Sequence, residues 1–173
     1  NGENFHFLAD TMRVEDVEWY FPDAPYILNN NPETRSWSYE KSPGIWEIEE
    51  PNHLLKHFFD TEIFSRIKPE NVYIIGFSQG AIICYEFALY LDTPLGGVFP
   101  IAGMFREKNN DKPRFHPRQK NTPIVIAHGR DDTVVDIEYS RKIYSLLASQ
   151  NANVKLIEYN GGHRISLQYL KEI

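Results

Sequence analysis

The stretch Val72-Tyr73-Ile74-Ile75-Gly76-Phe77-Ser78-Gln79-Gly80 decides how this chain is read. Val72 to Ile75 is a continuous apolar run, the pattern of a strand covered on both faces. Residues from Gln79 to about Leu91 are nearly all apolar and predict a buried helix. Between them lies Gly76-Phe77-Ser78-Gln79-Gly80, a G-x-S-x-G sequence. A serine on a sharp strand-to-helix turn sits in a strained backbone conformation. Small residues two before and two after it let strand and helix approach closely. Such a turn lifts the Ser78 hydroxyl to the top of a sheet. It also places it at a helix N-terminus, where free N–H groups favour developing negative charge. The N–H of Gln79 is then the natural oxyanion donor. The pentapeptide alone is a weak signal. Its position between a buried strand and a buried helix is what the chemistry requires.

Further along, Val98 to Ile101 reads as a short strand and Pro123 to Ala127 as a second strongly buried one. The latter is followed by His128-Gly129-Arg130-Asp131-Asp132-Thr133-Val134-Val135. An acid at a strand end can orient a catalytic imidazole, and spacing alone leaves Asp131 and Asp132 both open. A helix with Tyr139, Ile143, Leu146 and Leu147 inward comes next, then a strand over Val154 to Tyr159. Asn160-Gly161-Gly162-His163 follows, and its glycines let a loop carry His163 over the sheet end. A short helix covers Leu167 to Leu170. Serine, acid and histidine, each just after its own strand, occur in the chain order that hydrolases of this layout use.

Upstream, Phe5, Leu8, Ala9 and Met12 fall at helical spacing. Val17 to Phe21 is β-rich and ends at Pro22, so a strand is expected there. Asp23 to Pro51, with its prolines and asparagines, reads as one long loop. A helix is expected from Asn52, with Leu54, Leu55, Phe58, Phe59, Ile63, Phe64 and Ile67 as its apolar stripe and Pro69 beyond its end. Strands alternating with helices mean a mostly parallel sheet with helices on both faces, here one domain over 1–173. Ligands bind beyond the carboxyl ends of such strands.

Composition narrows the function. The 173 residues carry a net charge of −6, which argues against nucleic acid or an anionic membrane as partner. No apolar run reaches the ~18 residues of a spanning helix. Cys84 is the single cysteine, so no intramolecular disulfide forms, and a cytoplasmic location is expected. It lies in an apolar run without a polar neighbour to activate it, and reads as core rather than as a catalytic thiol. His53 and His57 are four apart, but Leu54 stands where a zinc protease needs glutamate, so no metal site is expected. Lys108, Lys112, Arg114, Arg118 and Lys120 read as a solvated basic loop. Trp37, Tyr39 and Trp46 are either a lid or pocket group or loop residues packed on the body.

These segments resemble the phospholipase/carboxylesterase family of α/β hydrolases, which includes acyl-protein thioesterases. The resemblance runs along nearly the whole chain. It rests on Phe21-Pro22-Asp23-Ala24-Pro25, Arg35-Ser36-Trp37, Gly76-Phe77-Ser78-Gln79-Gly80, Ala102-Gly103, His128-Gly129-Arg130-Asp131-Asp132 and Gly161-Gly162-His163. It implies the α/β-hydrolase fold, an acyl-enzyme on Ser78, His163 as general base then acid, Asp132 as its orienter, and no cofactor. It also implies Gln79 at the oxyanion and Trp37, Phe77, Met104 and Val134 in the substrate pocket. The substrate class is a small-molecule or lipid ester or thioester, and a homodimer is compatible with the chain.

In one respect the chain departs from the family pattern. The family has a strand ending in an H-G loop upstream, beside the nucleophile strand, and its loop supplies a second oxyanion N–H. On the order of 30 residues, about three strands with turns, are expected to be absent here, leaving a gap at the centre of the sheet. The chain is therefore expected to be an N-terminally truncated piece of a longer protein. Two other functions compete: a hydrolase fold that binds without turnover, and a dienelactone-hydrolase-like enzyme, which favours a cysteine nucleophile.

Overall fold

The computed structural model describes residues 1–106 and 115–173. The N-terminal helical spacing yields a 3-10 turn at Glu3–Phe5 followed by α1 (Phe7–Met12). Val17 to Phe21 is not a strand. The segment pairs with nothing in a ladder, and instead Trp19 stacks on Phe21 with ring centroids 5.9 Å apart. β-Rich composition marks side chains that suit a half-buried surface, and a strand still needs a partner.

The expected long loop is also corrected. It folds into two antiparallel hairpins, β1 (Tyr26–Leu28) with β2 (Asn31–Ser36), and β3 (Glu40–Ser42) with β4 (Ile45–Trp46). Asn29 and Asn30 turn the first one at φ 52° and 53°. Asparagine tolerates two successive positive φ angles, which is what a tight two-residue hairpin turn demands.

Helix α2 (Glu49–Phe58) starts earlier than its stripe suggested, with Pro51 in its first turn, where a missing N–H costs nothing. It continues into a π-helical turn at Phe59–Ile63. Leu55, Phe59 and Ile63 are buried, whereas Leu54 is exposed, because the stripe was wider than the one face that meets the body. Strand β5 (Tyr73–Phe77) leads through Ser78 into α3 (Gln79–Glu86). The expected helix to Leu91 is interrupted at Phe87, and only a 3-10 turn, Ala88–Tyr90, follows. Strands β6 (Gly97–Ile101) and β7 (Ile124–Gly129), helix α4 (Ile137–Ser149), strand β8 (Val154–Tyr159) and helix α5 (Leu167–Leu170) complete the order. In α4, Ser140, Ile143 and Leu147 turn inward, and Tyr139 is exposed instead.

Strands β5-β6-β7-β8 are parallel and adjacent in sequence order. On one face, Val98, Ile124 and Ile126 pack with Leu55, Tyr85, Ile143 and Leu147 from α2, α3 and α4. On the other, Ile101 and Ala127 pack with Leu8, Tyr169 and Leu170 from α1 and α5. Helices thus cover both faces, as the apolar strands require. The expected central gap is not found among the described residues. Strand β5 is instead an edge strand, paired with β6 alone, and Tyr73 on it is 61% exposed.

The tightest point lies where β5 meets α3. A Cβ on Gly76 would sit 2.2 Å from the Gly80 carbonyl oxygen and 2.7 Å from Cys84 Sγ. At Gly80 the same test finds open space among the described residues, so the second glycine is not required by its own side-chain volume. Gly76→Ala is expected to cost about 3 kcal/mol, because backbone must move to admit the methyl. Urea denaturation of the variant against the parent measures this; a change below about 1 kcal/mol contradicts the packing described.

Candidate active site

Three strand ends meet at the carboxyl edge of the sheet. Ser78 directly follows β5, with φ 54° and ψ −112°, a conformation that L-residues rarely adopt. Its N–H donates to the Ile101 carbonyl at the end of β6, 2.9 Å away. Its carbonyl accepts from Ala81 and Ile82, which starts α3 immediately after the turn. Gln79 and Gly80 therefore present first-turn N–H groups that have no acceptor within the helix.

His163 arrives from β8. Its loop is docked on the end of β7: the Asp131 N–H donates to Gly161 O at 2.9 Å and the Arg130 N–H to Tyr159 O at 2.8 Å. Gly161 takes φ 150°, a conformation that favours glycine. The outcome is a continuous chain of polar atoms. Ser78 Oγ lies 3.0 Å from His163 Nε2, and His163 Nδ1 lies 2.7 Å from Asp132 Oδ2. With Nδ1–H donating to the carboxylate, Nε2 is left to accept the Ser78 hydroxyl. Phe77 supports the imidazole with its ring, centroids 4.8 Å apart.

The structure separates the two acids that spacing left open. Asp131 is exposed. The Asp132 carboxylate is fully buried, and its Oδ1 accepts the N–H groups of Val134 (2.8 Å) and Val135 (2.9 Å). Burial pushes the Asp132 carboxyl up, but hydrogen bonds from Val135, His163 and Val134 outweigh it and hold it below the usual carboxylate range. His128 Nε2 also lies 3.3 Å from Asp132 Oδ2.

Residues that the sequence reading did not single out surround this chain. The Gln79 side chain accepts the Trp37 N–H at 3.0 Å and donates to Ser36 Oγ at 2.6 Å. Ser36 in turn donates to the Ser38 carbonyl. At the far end of α3, Glu86 pairs with Arg106 through two guanidinium nitrogens, and Arg106 donates to Ser38 Oγ at 2.6 Å. Helix α3 is thus tied at both ends to Ser36-Trp37-Ser38. The guanidinium also sits 5.1 Å from the Trp46 ring. An arginine in a polar stretch and a glutamate in an apolar helix are each ambiguous in sequence. Only their meeting gives either one a role.

The other expected pocket residues are less gathered. Trp37 is half-buried against the α2–α3 core, Met104 is half-buried, and Val134 is 70% exposed beside Asp132. Trp46 lies under Arg106, and Tyr39 is exposed against Tyr26. Cys84 is fully buried and burial pushes its thiol up to about 12. His53 and His57 are exposed on α2, beside the Lys56–Asp60 ion pair. Among the described residues no cluster of three or more histidine, cysteine or acidic side chains is placed to hold a metal, and no helix is long and apolar enough to cross a membrane. Lys108, Lys112 and Arg114 of the basic stretch lie outside the described residues. A cavity of about 290 Å³ between α2 and the end of α3, lined by Asn52, Lys56, Glu86, Phe87, Tyr90, Leu91 and Asp92, does not include Ser78 or His163.

A family model described as Phospholipase/Carboxylesterase matches residues 1–173. The chain belongs to the phospholipase/carboxylesterase family. Probable carboxylesterase SOBER1-like of Arabidopsis thaliana is 31% identical over 98% of this chain and 71% of its own length. Acyl-protein thioesterase 1 of Neurospora crassa is 30% identical over 94% of this chain and 73% of its own. The crystal structure of Arabidopsis thaliana SOBER1 superposes with a TM-score of 0.80 at 26% identity, covering 99% of this chain and 89% of that one. The fold is therefore the α/β-hydrolase fold, and the chain is a hydrolase of carboxylic esters or thioesters.

Two predictions follow from the geometry of the site. Arg106→Met leaves Glu86 buried without its partner and is expected to cost roughly 3–5 kcal/mol in chemical denaturation, while Arg106→Met with Glu86→Met recovers most of it. The second concerns acid. The folded-state Asp132 carboxyl titrates below its unfolded value. Its stabilisation is therefore complete above about pH 4, the ordinary aspartate range, and is lost as pH falls through the folded value. Asp132→Asn is expected to flatten the fall of the urea midpoint below pH 4, and an unchanged acid slope refutes the assignment.

Proposed function

We propose that residues 1–173 form one hydrolase domain in which Ser78 is the nucleophile, His163 the general base and then acid, and Asp132 the group that orients it. The observation that carries this reading is the unbroken hydrogen-bond chain from Ser78 Oγ through His163 to Asp132. As Oγ attacks the acyl carbon, its proton passes to His163 Nε2 and the carbonyl π electrons move onto oxygen. The resulting oxyanion faces the first turn of α3, where the Gln79 N–H is the donor. Collapse expels the alcohol or thiol, which takes the proton from His163, and an acyl-enzyme remains on Ser78. Water repeats the sequence: it attacks the acyl carbon, gives its proton to His163, and the carboxylic acid leaves as Ser78 recovers that proton. Asp132 stays ionised throughout, consistent with a carboxyl held below its usual range.

The substrates we infer are small-molecule or lipid esters and thioesters, in keeping with relatives named carboxylesterase and acyl-protein thioesterase. Phe77 against His163, and Met104, Val134 and Trp37 farther out, form the proposed acyl-binding side. The one cysteine, buried and unpaired, suits a reducing compartment such as the cytoplasm. A dienelactone-hydrolase-like reading is disfavoured, since those enzymes favour a cysteine nucleophile and serine stands at position 78.

A fluorophosphonate probe is expected to label Ser78 and no other residue, as read by peptide mapping. Ser78→Ala is expected to abolish turnover of a short p-nitrophenyl ester, and Asp132→Asn to lower kcat by up to about 10⁴-fold. Labelling elsewhere overturns the assignment of Ser78, and ligand binding without turnover in a full-length version favours a non-catalytic module instead.

A further inference from the structure

His128 is the one buried imidazole near the site that the mechanism above leaves unused. It is fully buried at the end of β7. Its Nε2 faces two acceptors, the Val135 carbonyl oxygen at 2.9 Å and Asp132 Oδ2 at 3.3 Å. A carbonyl and a carboxylate both need a donor, so the proton sits on Nε2. Nδ1 then accepts the Ser140 hydroxyl from α4, 2.7 Å away. The tautomer is thus set by its neighbours and not by the imidazole itself.

We propose that His128 is a positioning residue for the reaction: by donating from Nε2 to the Val135 carbonyl, with that N–H edge 3.3 Å from Asp132 Oδ2, it seats the turn that presents the carboxylate to His163. This inference rests on the reading of Ser78, His163 and Asp132 given above. The argument is geometric. Oδ2 pairs with His163 Nδ1 and has His128 Nε2 3.3 Å away, while Oδ1 is held by Val134 and Val135. The Val135 carbonyl that His128 holds belongs to the residue whose N–H grips Oδ1, so the imidazole braces the turn that seats the carboxylate. Ser140, buried on α4, braces the imidazole from behind.

The titratable groups around the pair are His163, Tyr159 on β8 and Tyr85 on α3. Burial holds both tyrosines above their ordinary range, so they stay neutral at working pH. Asp131 beside the pair is exposed. Loss of the His128 N–H therefore removes a polar edge from beside Oδ2 and its hold on the Val135 carbonyl, while Val134 and Val135 still donate to Oδ1. Oδ2 is then left facing His163 Nδ1 without that second N–H edge, and the turn that places it is less firmly held.

The test measures kcat and KM against pH with a p-nitrophenyl ester for the parent, His128→Phe, His128→Gln and Ser140→Ala, with thermal melts to establish folding. The parent and Ser78→Ala come first: turnover that survives Ser78→Ala defeats the underlying reading, separately from anything His128 does. With that reading standing, His128→Phe is expected to lower kcat about tenfold at unchanged KM, the scale of one lost hydrogen bond. Its acid limb is expected to move up by roughly half a pH unit. His128→Gln, whose amide N–H replaces the Nε2–H, is expected to restore most of both. A folded His128→Phe with the parent's kcat and acid limb overturns the proposal, as does a His128→Gln no better than His128→Phe. If His128→Phe does not fold, Ser140→Ala decides: a smaller shift of the limb in the same direction supports the role, and an unmoved limb removes it.

Discussion

The backbone turn at Ser78 is the constraint on which the rest of the molecule depends. A left-handed non-glycine residue costs of order 1–3 kcal/mol and persists only where its surroundings over-determine it. Here three contacts do so. Gly76 lies directly against the Gly80 carbonyl, the Ser78 N–H is taken by the Ile101 carbonyl, and Ala81 and Cys84 anchor α3 in the core without exposure. Strand, neighbouring strand and helix all hold the same residue. The hydroxyl is consequently fixed at the sheet edge before any substrate arrives, which is the form of preorganisation that acyl transfer uses.

Around that turn, the site divides its polar groups by solvent exposure. The Asp132 carboxylate is sealed and fully hydrogen-bonded, whereas the His163 side chain keeps 18% of its surface exposed. A buried charge survives only when donors replace its water, and here the backbone of its own turn supplies two of them. The imidazole remains partly open to solvent. Cys84 makes the contrast plain. It lies on α3, the helix that Ser78 begins, but burial outweighs its backbone contact and keeps its thiol protonated.

The hairpin region takes part in this architecture rather than decorating it. Ser36, Trp37 and Ser38 are latched to α3 through Gln79 at one end and through Arg106 and Glu86 at the other. The residue that follows the nucleophile position thus has two duties. Its backbone N–H is a first-turn donor with no acceptor in the helix, the one proposed to face the oxyanion, and its carboxamide ties down the segment that carries Trp37.

Much of this was legible in the chain itself. Continuous apolar runs at Val72–Ile75 and Ile124–Ala127 require a sheet covered on both faces, and Gly76-Phe77-Ser78-Gln79-Gly80 requires a tight turn, because these are local steric and burial demands. The first hairpin is legible too, in Asn29-Asn30, although the same composition fits a loop. Other features were not local. Val17–Phe21 has strand-like residues and no partner, Leu54 fits a helical stripe and faces water, and β5 is an edge, since pairing and exposure belong to neighbours distant in sequence. The sequence by itself determined which residues had to turn, be buried or carry a reactive group. Spacing left Asp131 and Asp132 open and the resemblance pointed to Asp132, which the fold brings to His163; the meeting of Arg106 with Glu86 and of His128 with the Asp132 turn came from the fold alone, because distances between remote segments are not contained in the order of residues.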